Sequence, residues 1–272
     1  MKLFCVSDIH SYWTPFKKAL DEKGFEPNNK DHLLIVLGDV FDRGDESYEV
    51  FNFLNNLTNV VLVRGNHEDL LEEMLNRGYG ERHDISNGTV NTVVSLADYT
   101  GKKTSSTKEC CDAVKEMLTP FFNKFVNYFE TRKFVFTHGF IPCEKFTGLD
   151  KPWYQQGRKL EYNVDWRSSS DVEWEAARWL NGIKASFARG IFEPAKQIVV
   201  GHWHCSYGHY LKAFKKALAD GTDIEVEEFG PTAIWEPFET EHLIAIDKCT
   251  AHTGEVNVIV LEDELLGTEE KL

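Results

Sequence analysis

The first third of this sequence predicts an α/β fold built on parallel strands, and three observations carry that reading. Short, wholly apolar runs alternate with amphipathic helical segments over residues 1–78, the order of a β-α-β-α-β-α unit. The runs show no polar alternation, as strands buried on both faces do not. Each run ends at residues with metal-ligand side chains, and open α/β sheets gather their ligands at the carboxyl ends of strands.

Lys2–Ser7 is the first run and ends at Asp8. Thr14-Pro15 opens a helix, an N-cap residue followed by proline, and Gly24 closes it; Trp13, Phe16 and Leu20 form its apolar stripe. Leu33–Leu37 ends at Gly38-Asp39, and Asp45 caps a helix carrying Tyr48, Phe51 and Leu54. Val60–Val63 ends at Gly65-Asn66; Leu70, Leu71, Met74 and Leu75 then share a helical face that stops at Arg77-Gly78. Residues 79–105 are polar and read as a loop with a short helix at Thr92–Tyr99. Thr107–Glu130 has helical spacing that Pro120 bends or breaks, and its Phe121, Phe122, Phe125 and Phe129 read as packing residues. Phe134–Thr137 and Gln197–Val200 are two further strands, each running into a His. After Tyr207 the pattern is strand-like again, at Glu225–Phe229, Leu243–Asp247 and Val256–Leu261. With no repeat, linker or composition break, residues 1–272 read as one domain with a helical insertion or cap at about 79–132.

A chain of 272 residues that is 42% hydrophobic can bury a full core. No apolar run approaches the ~20 residues of a membrane span, so no membrane partner is expected. The N-terminal apolar stretch runs straight into Asp8 and His10 and reads as a strand rather than a signal peptide. A net charge of −14 argues against a nucleic-acid partner, which a basic patch would mark. The six cysteines form no C-x-x-C pair, so free thiols in a reducing cytoplasm are expected, with Cys5 and Cys205 packing beside the site as small hydrophobes.

Five patches carry the chemistry: Asp8-Ile9-His10, Gly38-Asp39, Gly65-Asn66-His67-Glu68, His138-Gly139 and Gly201-His202-Trp203-His204. Each alone is weak. In order, at strand ends, they describe a site assembled by the whole fold, with carboxylate, imidazole and amide donors suited to Mn, Fe or Zn. This order resembles the calcineurin-like metallophosphoesterase superfamily. The Asp42-Arg43-Gly44 and Arg64-Gly65-Asn66-His67-Glu68 elements look like its phosphoprotein phosphatase branch, which includes bacterial and phage serine/threonine phosphatases and symmetrical diadenosine tetraphosphatases. The resemblance is strong over residues 1–80, clear at His138 and His202, and covers only the outline of the last strands.

The resemblance implies a four-layer α/β/β/α sandwich with two mixed sheets. It also implies two divalent or mixed-valence metal ions. Asp8, His10 and His204 would hold the first, Asn66, His138 and His202 the second, and Asp39 would bridge them. His67 would be the general acid and Asp42 its partner, fixing the tautomer and raising the pKa. Arg43 would clamp phosphoryl oxygens. A second clamp is expected between the His138 and His202 patches; Arg178 is the candidate and Arg167 its competitor. Arg64 reads as a loop-orienting residue, and Glu68 as a helix-start carboxylate favoured by the macrodipole. Trp153, Trp166, Trp174, Trp179 and Trp203 read as core residues, some of them available to line a pocket.

The implied reaction is in-line attack of a hydroxide held between two metals on a phosphomonoester, the substrate being a phosphorylated small molecule, nucleotide or phosphoprotein. The last patch reads Gly-His-Trp-His where the phosphoprotein phosphatase branch has Thr after Gly-His, and Ser11 stands where that branch prefers Gly. Two subfamily signatures are mixed, so a nucleotide phosphodiesterase or dinucleoside polyphosphate hydrolase is the alternative. A metal-binding scaffold is the non-enzyme alternative, and the intact ligand set argues against it.

Overall fold

The computed structural model describes residues 1–147 and 157–266, with the side chains of residues 146 and 147 excepted. Trp153 lies outside that range. The segments that read as alternating strand and helix do so: β1 (Lys2–Val6), α1 (Trp13–Lys23), β2 (His32–Leu37), α2 (Ser47–Asn56), β3 (Val60–Val63) and α3 (Asn66–Arg77). Next come α4 (Arg82–Asn87), α5 (Thr89–Asp98) and α6 (Thr107–Phe122), then the short edge strands β4 (Phe125–Val126) and β5 (Phe129–Glu130). β6 (Phe134–Phe136), the hairpin β7 (Glu144–Thr147) and β8 (Gly157–Leu160), α7 (Asp171–Arg178) and β9 (Gln197–Val200) lead into α8 (Cys205–Asp220). β10 (Phe238–Glu239), β11 (Leu243–Ala245), α9 (Thr250–Thr253) and β12 (Val258–Glu262) complete the order.

Two mixed five-stranded sheets form, in the orders β12-β1-β2-β3-β4 and β10-β11-β9-β6-β5. Strands β1 to β4 run parallel, as do β6, β9 and β11, while β12, β10 and β5 are antiparallel edges. The period-2 alternation of strand side chains explains the layering. Leu3, Cys5, Ile35 and Leu37 meet Phe136, Val199 and Ile244 in one core between the sheets. Phe4, Val6, Leu34 and Val36 face the other way, into a core with Phe16, Leu54, Met74, Leu96 and Phe121 from the helices on the first sheet. Val135, Ile198, Val200 and Ala245 do the same on the second sheet, with Trp166, Trp174 and Ala177. Three hydrophobic layers therefore separate four layers of structure, the expected α/β/β/α sandwich.

Some expectations shift. Pro120 lies inside α6, near its end, and the helix stops at Phe122 instead of continuing toward Glu130. α2 begins after Glu46 with no side-chain cap from Asp45. Thr14 lies within α1, whose first turn is tied instead by Glu46, accepting from the Thr14 N–H at 2.9 Å. Glu225–Phe229 forms no strand; an unforeseen helix, α8, precedes it. Trp166 and Trp174 are core residues, whereas Trp179 and Trp203 are 50% and 36% exposed.

Candidate metal centre

Because the two sheets are stacked and their parallel strands point the same way, the loops after β1, β2, β3, β6 and β9 converge. Close approach is what their glycines permit. A Cβ on Gly65 would lie 2.3 Å from Asp39 Oδ1, and one on Gly201 would lie 2.5 Å from Asp8 Oδ2. The backbone of these loops is costly. Among the described residues, left-handed backbone at non-glycine positions falls on Asp8, His10, Ser11, Asp39, Asp42, Arg43, His202 and Cys249, with φ between 50 and 73°. Each such residue costs about 1–2 kcal/mol, and strain of this kind concentrates at functional sites.

Asp39 lies at the centre. Its carboxylate belongs to two groups of donor atoms, one with His10 and His67 and one with His138 and His202, each group lying within 4.8 Å. His138 Nε2 is 3.3 Å from Asp39 Oδ1 and 2.9 Å from Asn66 Oδ1, and its Nδ1–H donates to Leu37 O at 2.6 Å. His10 Nε2 is 3.8 Å from Asp39 Oδ2 and 3.9 Å from Asp8 Oδ1, while its Nδ1–H donates to Phe41 O at 2.9 Å. Asp8 Oδ2 accepts the His202 N–H at 2.9 Å, leaving Oδ1 toward His10. Ligands on one ion at ~2.1 Å stand roughly 3.0–3.5 Å from each other, so these separations suit metal ions with small adjustments. The anchored second nitrogens of His10 and His138 are the usual orientation device of metal-binding imidazoles. Oxygen and imidazole donors fit Mn, Fe or Zn.

The electrostatics follow from burial. Desolvation would raise Asp39, but His138 and His67 outweigh it and hold the carboxyl well below its usual range. Burial opposes a charge on His138, yet Asp39 above all pulls its pKa up to about 10. His202 is pushed down to about 3, chiefly by desolvation and then by the neighbouring His138. Burial and then the Asp39 charge push Glu68 up to about 7.

His67 and Asp42 meet as the motif implies: His67 Nδ1–H donates to Asp42 Oδ2 at 2.7 Å. Burial works against protonation of His67, but the charges of Asp39 and Asp42 prevail and its pKa is raised. Arg43 is exposed, and its Nη2 lies 3.4 Å from His67 Nε2.

Three sequence candidates are not brought into the cluster. His204 caps α8, so its side chain turns along that helix; Nδ1 lies 2.8 Å from Ser206 Oγ, Nε2 3.3 Å from Glu228, and the ring packs on Phe229 and Trp235. Arg178 is 8% exposed and both its terminal nitrogens are engaged, donating to Asp69 Oδ2 at 2.7 Å and to Asn127 Oδ1 at 2.6 Å. Arg167 stacks 4.2 Å over Trp166 and is held by Glu130 and Glu193. Arg64 pairs with Asp69 and Glu72, consistent with its reading as a loop-orienting residue.

Other ties at the site went unread. Glu68 accepts the N–H groups of Asp39 (2.9 Å), Val40 (2.8 Å) and Gly65 (2.8 Å), binding the β2 and β3 loops together. Thr250 Oγ1–H donates to Asp8 O at 2.8 Å. Thr89 and Thr92 of α5 reach Asp42. Glu68 closes the Gly65-Asn66-His67-Glu68 patch and lies, as read, in the first turn of α3, but its tie to the β2 loop was not legible; the threonines carried no signal, since they lie in segments without motifs.

The segments shared with known proteins are short. Over 87 residues the chain is 33% identical to the symmetrical bis(5'-nucleosyl)-tetraphosphatase of Aromatoleum aromaticum, spanning 31% of each chain. Over 86 residues it is 36% identical to serine/threonine-protein phosphatase 2 of Escherichia coli, spanning 32% of this chain and 38% of that one. The matches thus cover well under half of these relatives' length. A solved cold-active protein tyrosine phosphatase is 16% identical, with a TM-score of 0.45, and the similarity covers 96% of this chain and 75% of that one. The model of the calcineurin-like phosphoesterase family matches residues 1–220, the stretch that holds Asp8, Asp39, Asn66, His138 and His202, and the chain therefore belongs to that family.

Proposed function

We propose that this protein is a metal-dependent phosphatase, hydrolysing phosphomonoesters at a two-metal centre held by Asp8, His10, Asp39, Asn66, His138 and His202. The observation that carries the reading is the Asp39 carboxylate shared by two donor groups, with the His67–Asp42 pair and the Arg43 guanidinium beside it. Two divalent ions held there, Mn, Fe or Zn, would supply water activation and neutralisation of phosphoryl charge. The chain's own residues do the rest. Arg43 offers a planar fork to two phosphoryl oxygens. His67 holds a proton at Nε2, 3.4 Å from that fork, and delivers it to the departing oxygen. Asp42 keeps Nδ1 protonated, so Nε2 remains the nitrogen facing substrate. His204 and Arg178, occupied elsewhere, have no part in this reading.

A nucleotide reading is favoured by one specific observation. Trp179 and Trp203 are 50% and 36% exposed, and their rings lie 6.0 and 6.1 Å from the His202 ring, so a planar base has indole faces beside the site. The relatives named as bis(5'-nucleosyl)-tetraphosphatases point the same way. The deciding experiment is a substrate panel on protein reconstituted separately with Mn, Fe and Zn, comparing alkyl and aryl monoesters with bis-nitrophenyl phosphate and diadenosine tetraphosphate. Highest kcat/KM on monoesters supports the phosphatase reading. Preference for the diester or dinucleotide replaces it, and no turnover on any substrate with metals bound defeats both.

A further inference from the structure

We propose that α4 and α5 act as a clamp on the Asp42-Arg43 turn, with Thr89 and Thr92 as positioning residues for the proton-donating pair. The proposal rests on the reading of His67 as general acid. Asp42 and Arg43 are consecutive left-handed residues, at φ 73 and 66°, so something must over-determine the turn. Three contacts from one direction do so. The Thr89 hydroxyl donates to Asp42 Oδ2 at 2.8 Å. The Thr92 hydroxyl donates to Asp42 Oδ1 and accepts the Asp42 N–H, both at 3.1 Å. Gly88, between the two helices, lies directly on the turn: a Cβ there would be 2.6 Å from Arg43 N.

These threonines are three apart on one helix face, and both are buried. A helical threonine ordinarily returns its hydroxyl to the carbonyl one turn back. Here both hydroxyls leave their own helix and aim at one carboxylate. Thr89, Thr92 and His67 together fill both oxygens of Asp42, which fixes its plane and so the direction of His67 Nε2. The clamp is itself anchored away from the site. Arg77, ending α3, donates to Asp84 of α4; Val93, Leu96 and Ala97 are buried in the helix-side core; and Tyr99 stacks on Tyr48 at 3.8 Å. Residues 79–105 would thereby contribute to the chemistry through Asp42.

The test compares Thr89→Val/Thr92→Val with Thr89→Ser/Thr92→Ser and with His67→Ala, all loaded with metal. Each is assayed on an alkyl phosphate, whose leaving group needs a proton, and on p-nitrophenyl phosphate, whose leaving group needs none. The valine pair keeps side-chain volume and removes the hydroxyls. It is expected to lower kcat on the alkyl ester by about 10–100-fold, with KM and metal content little changed, and to lower nitrophenyl turnover less than about threefold. The serine pair is expected to restore the alkyl activity. Should the valine pair not fold, Thr89→Ser/Thr92→Val carries the same comparison with a single hydroxyl removed. If His67→Ala discriminates between the two substrates while the valine variant slows both equally, or neither, the clamp is overturned and the role of His67 stands. If His67→Ala itself shows no discrimination, the general-acid reading falls and the clamp proposal with it.

Discussion

His67 has two roles open to it, metal ligand and proton donor, and its distance to Asp39 does not separate them. Its Nε2 is 3.9 Å from Asp39 Oδ2, almost the same as the 3.8 Å of His10 Nε2. A carboxylate partner on Nδ1 suits a metal ligand as well as a proton donor, so that contact does not decide. The Arg43 fork 3.4 Å away bears on it under the proposed function: if Arg43 clamps phosphate, His67 Nε2 stands beside the substrate oxygens. His67→Ala is therefore expected to retain both metals by elemental analysis and to lose about 10²–10⁴-fold in kcat on alkyl esters. Loss of one metal ion would make it a ligand instead. Glu68 supports the centre differently. It is fully buried, and its two oxygens take three backbone N–H groups. Glu68→Gln puts an NH₂ against at least one of them, leaving a buried donor unpaired at a cost of about 1–3 kcal/mol. Urea unfolding of the metal-free protein measures this, and an unchanged midpoint would refute the role. Asp39, Asn66 and His67 were legible because they close apolar runs. The role of Glu68 was not, because its partners Asp39 and Val40 belong to another loop and nothing local marks them.

At the scale of elements, the strands were legible and the second half's helices were not. Leu34–Leu37 and Val60–Val63 are continuous apolar runs because they pack on both faces. The helix α8 hid itself because its buried residues are small, Cys205, Ser206, Gly208 and Ala217, while Phe214 and Leu218 stay 40% and 76% exposed. Its apolar signal therefore points away from the face it packs. The loops after the strands depend on glycines with no room for a side chain. Gly65→Ala places a methyl 2.3 Å from Asp39 Oδ1 and 2.5 Å from Asp39 N, so the central carboxylate must move. Overpacking of this kind costs about 1–3 kcal/mol or more. The expected outcome is a folded protein that binds less than its full complement of metal, seen as retained far-ultraviolet dichroism with reduced metal stoichiometry. Full stoichiometry would mean that the loop yields without disturbing Asp39.

The whole molecule divides its donors between the two sheets, four after strands of the first and two after strands of the second. Asp8, His10, Asp39 and Asn66 follow strands of the first; His138 and His202 follow strands of the second. Direct ties already cross between them, since His138 Nδ1–H donates to Leu37 O and the His202 N–H to Asp8 Oδ2. Metal ligation would be a further cross-link, so loading is expected to raise the melting temperature, by about 2.7 kcal/mol of stability at a hundredfold excess over Kd. The pH dependence follows from His138. In the metal-free protein its pKa is about 10, raised chiefly by Asp39 against the opposing effect of burial, so at pH 7 both its nitrogens carry protons, donating to Leu37, Asn66 and Asp39 acceptors. A raised folded pKa stabilises the metal-free fold fully below the unfolded value of ~6.5, and that contribution is lost as pH climbs toward 10. A metal on Nε2 must displace the proton there, and once bound it leaves nothing on that nitrogen to titrate in this window. Two consequences are measurable together. Titration calorimetry at pH 7 in buffers of different ionisation enthalpy should show proton release on binding, with affinity rising up to about tenfold per pH unit between pH 6 and 8. The melting-temperature gap between metal-loaded and metal-free protein should widen from pH 6.5 upward, because only the metal-free form loses the charged His138–Asp39 contact. Buried thiols such as Cys143, pushed up to about 12 by desolvation, erode stability at high pH in both forms and so cancel in that gap. A gap that stays constant, with no proton released, would mean that His138 does not exchange a proton for metal and that the second sheet does not contribute this donor to the centre.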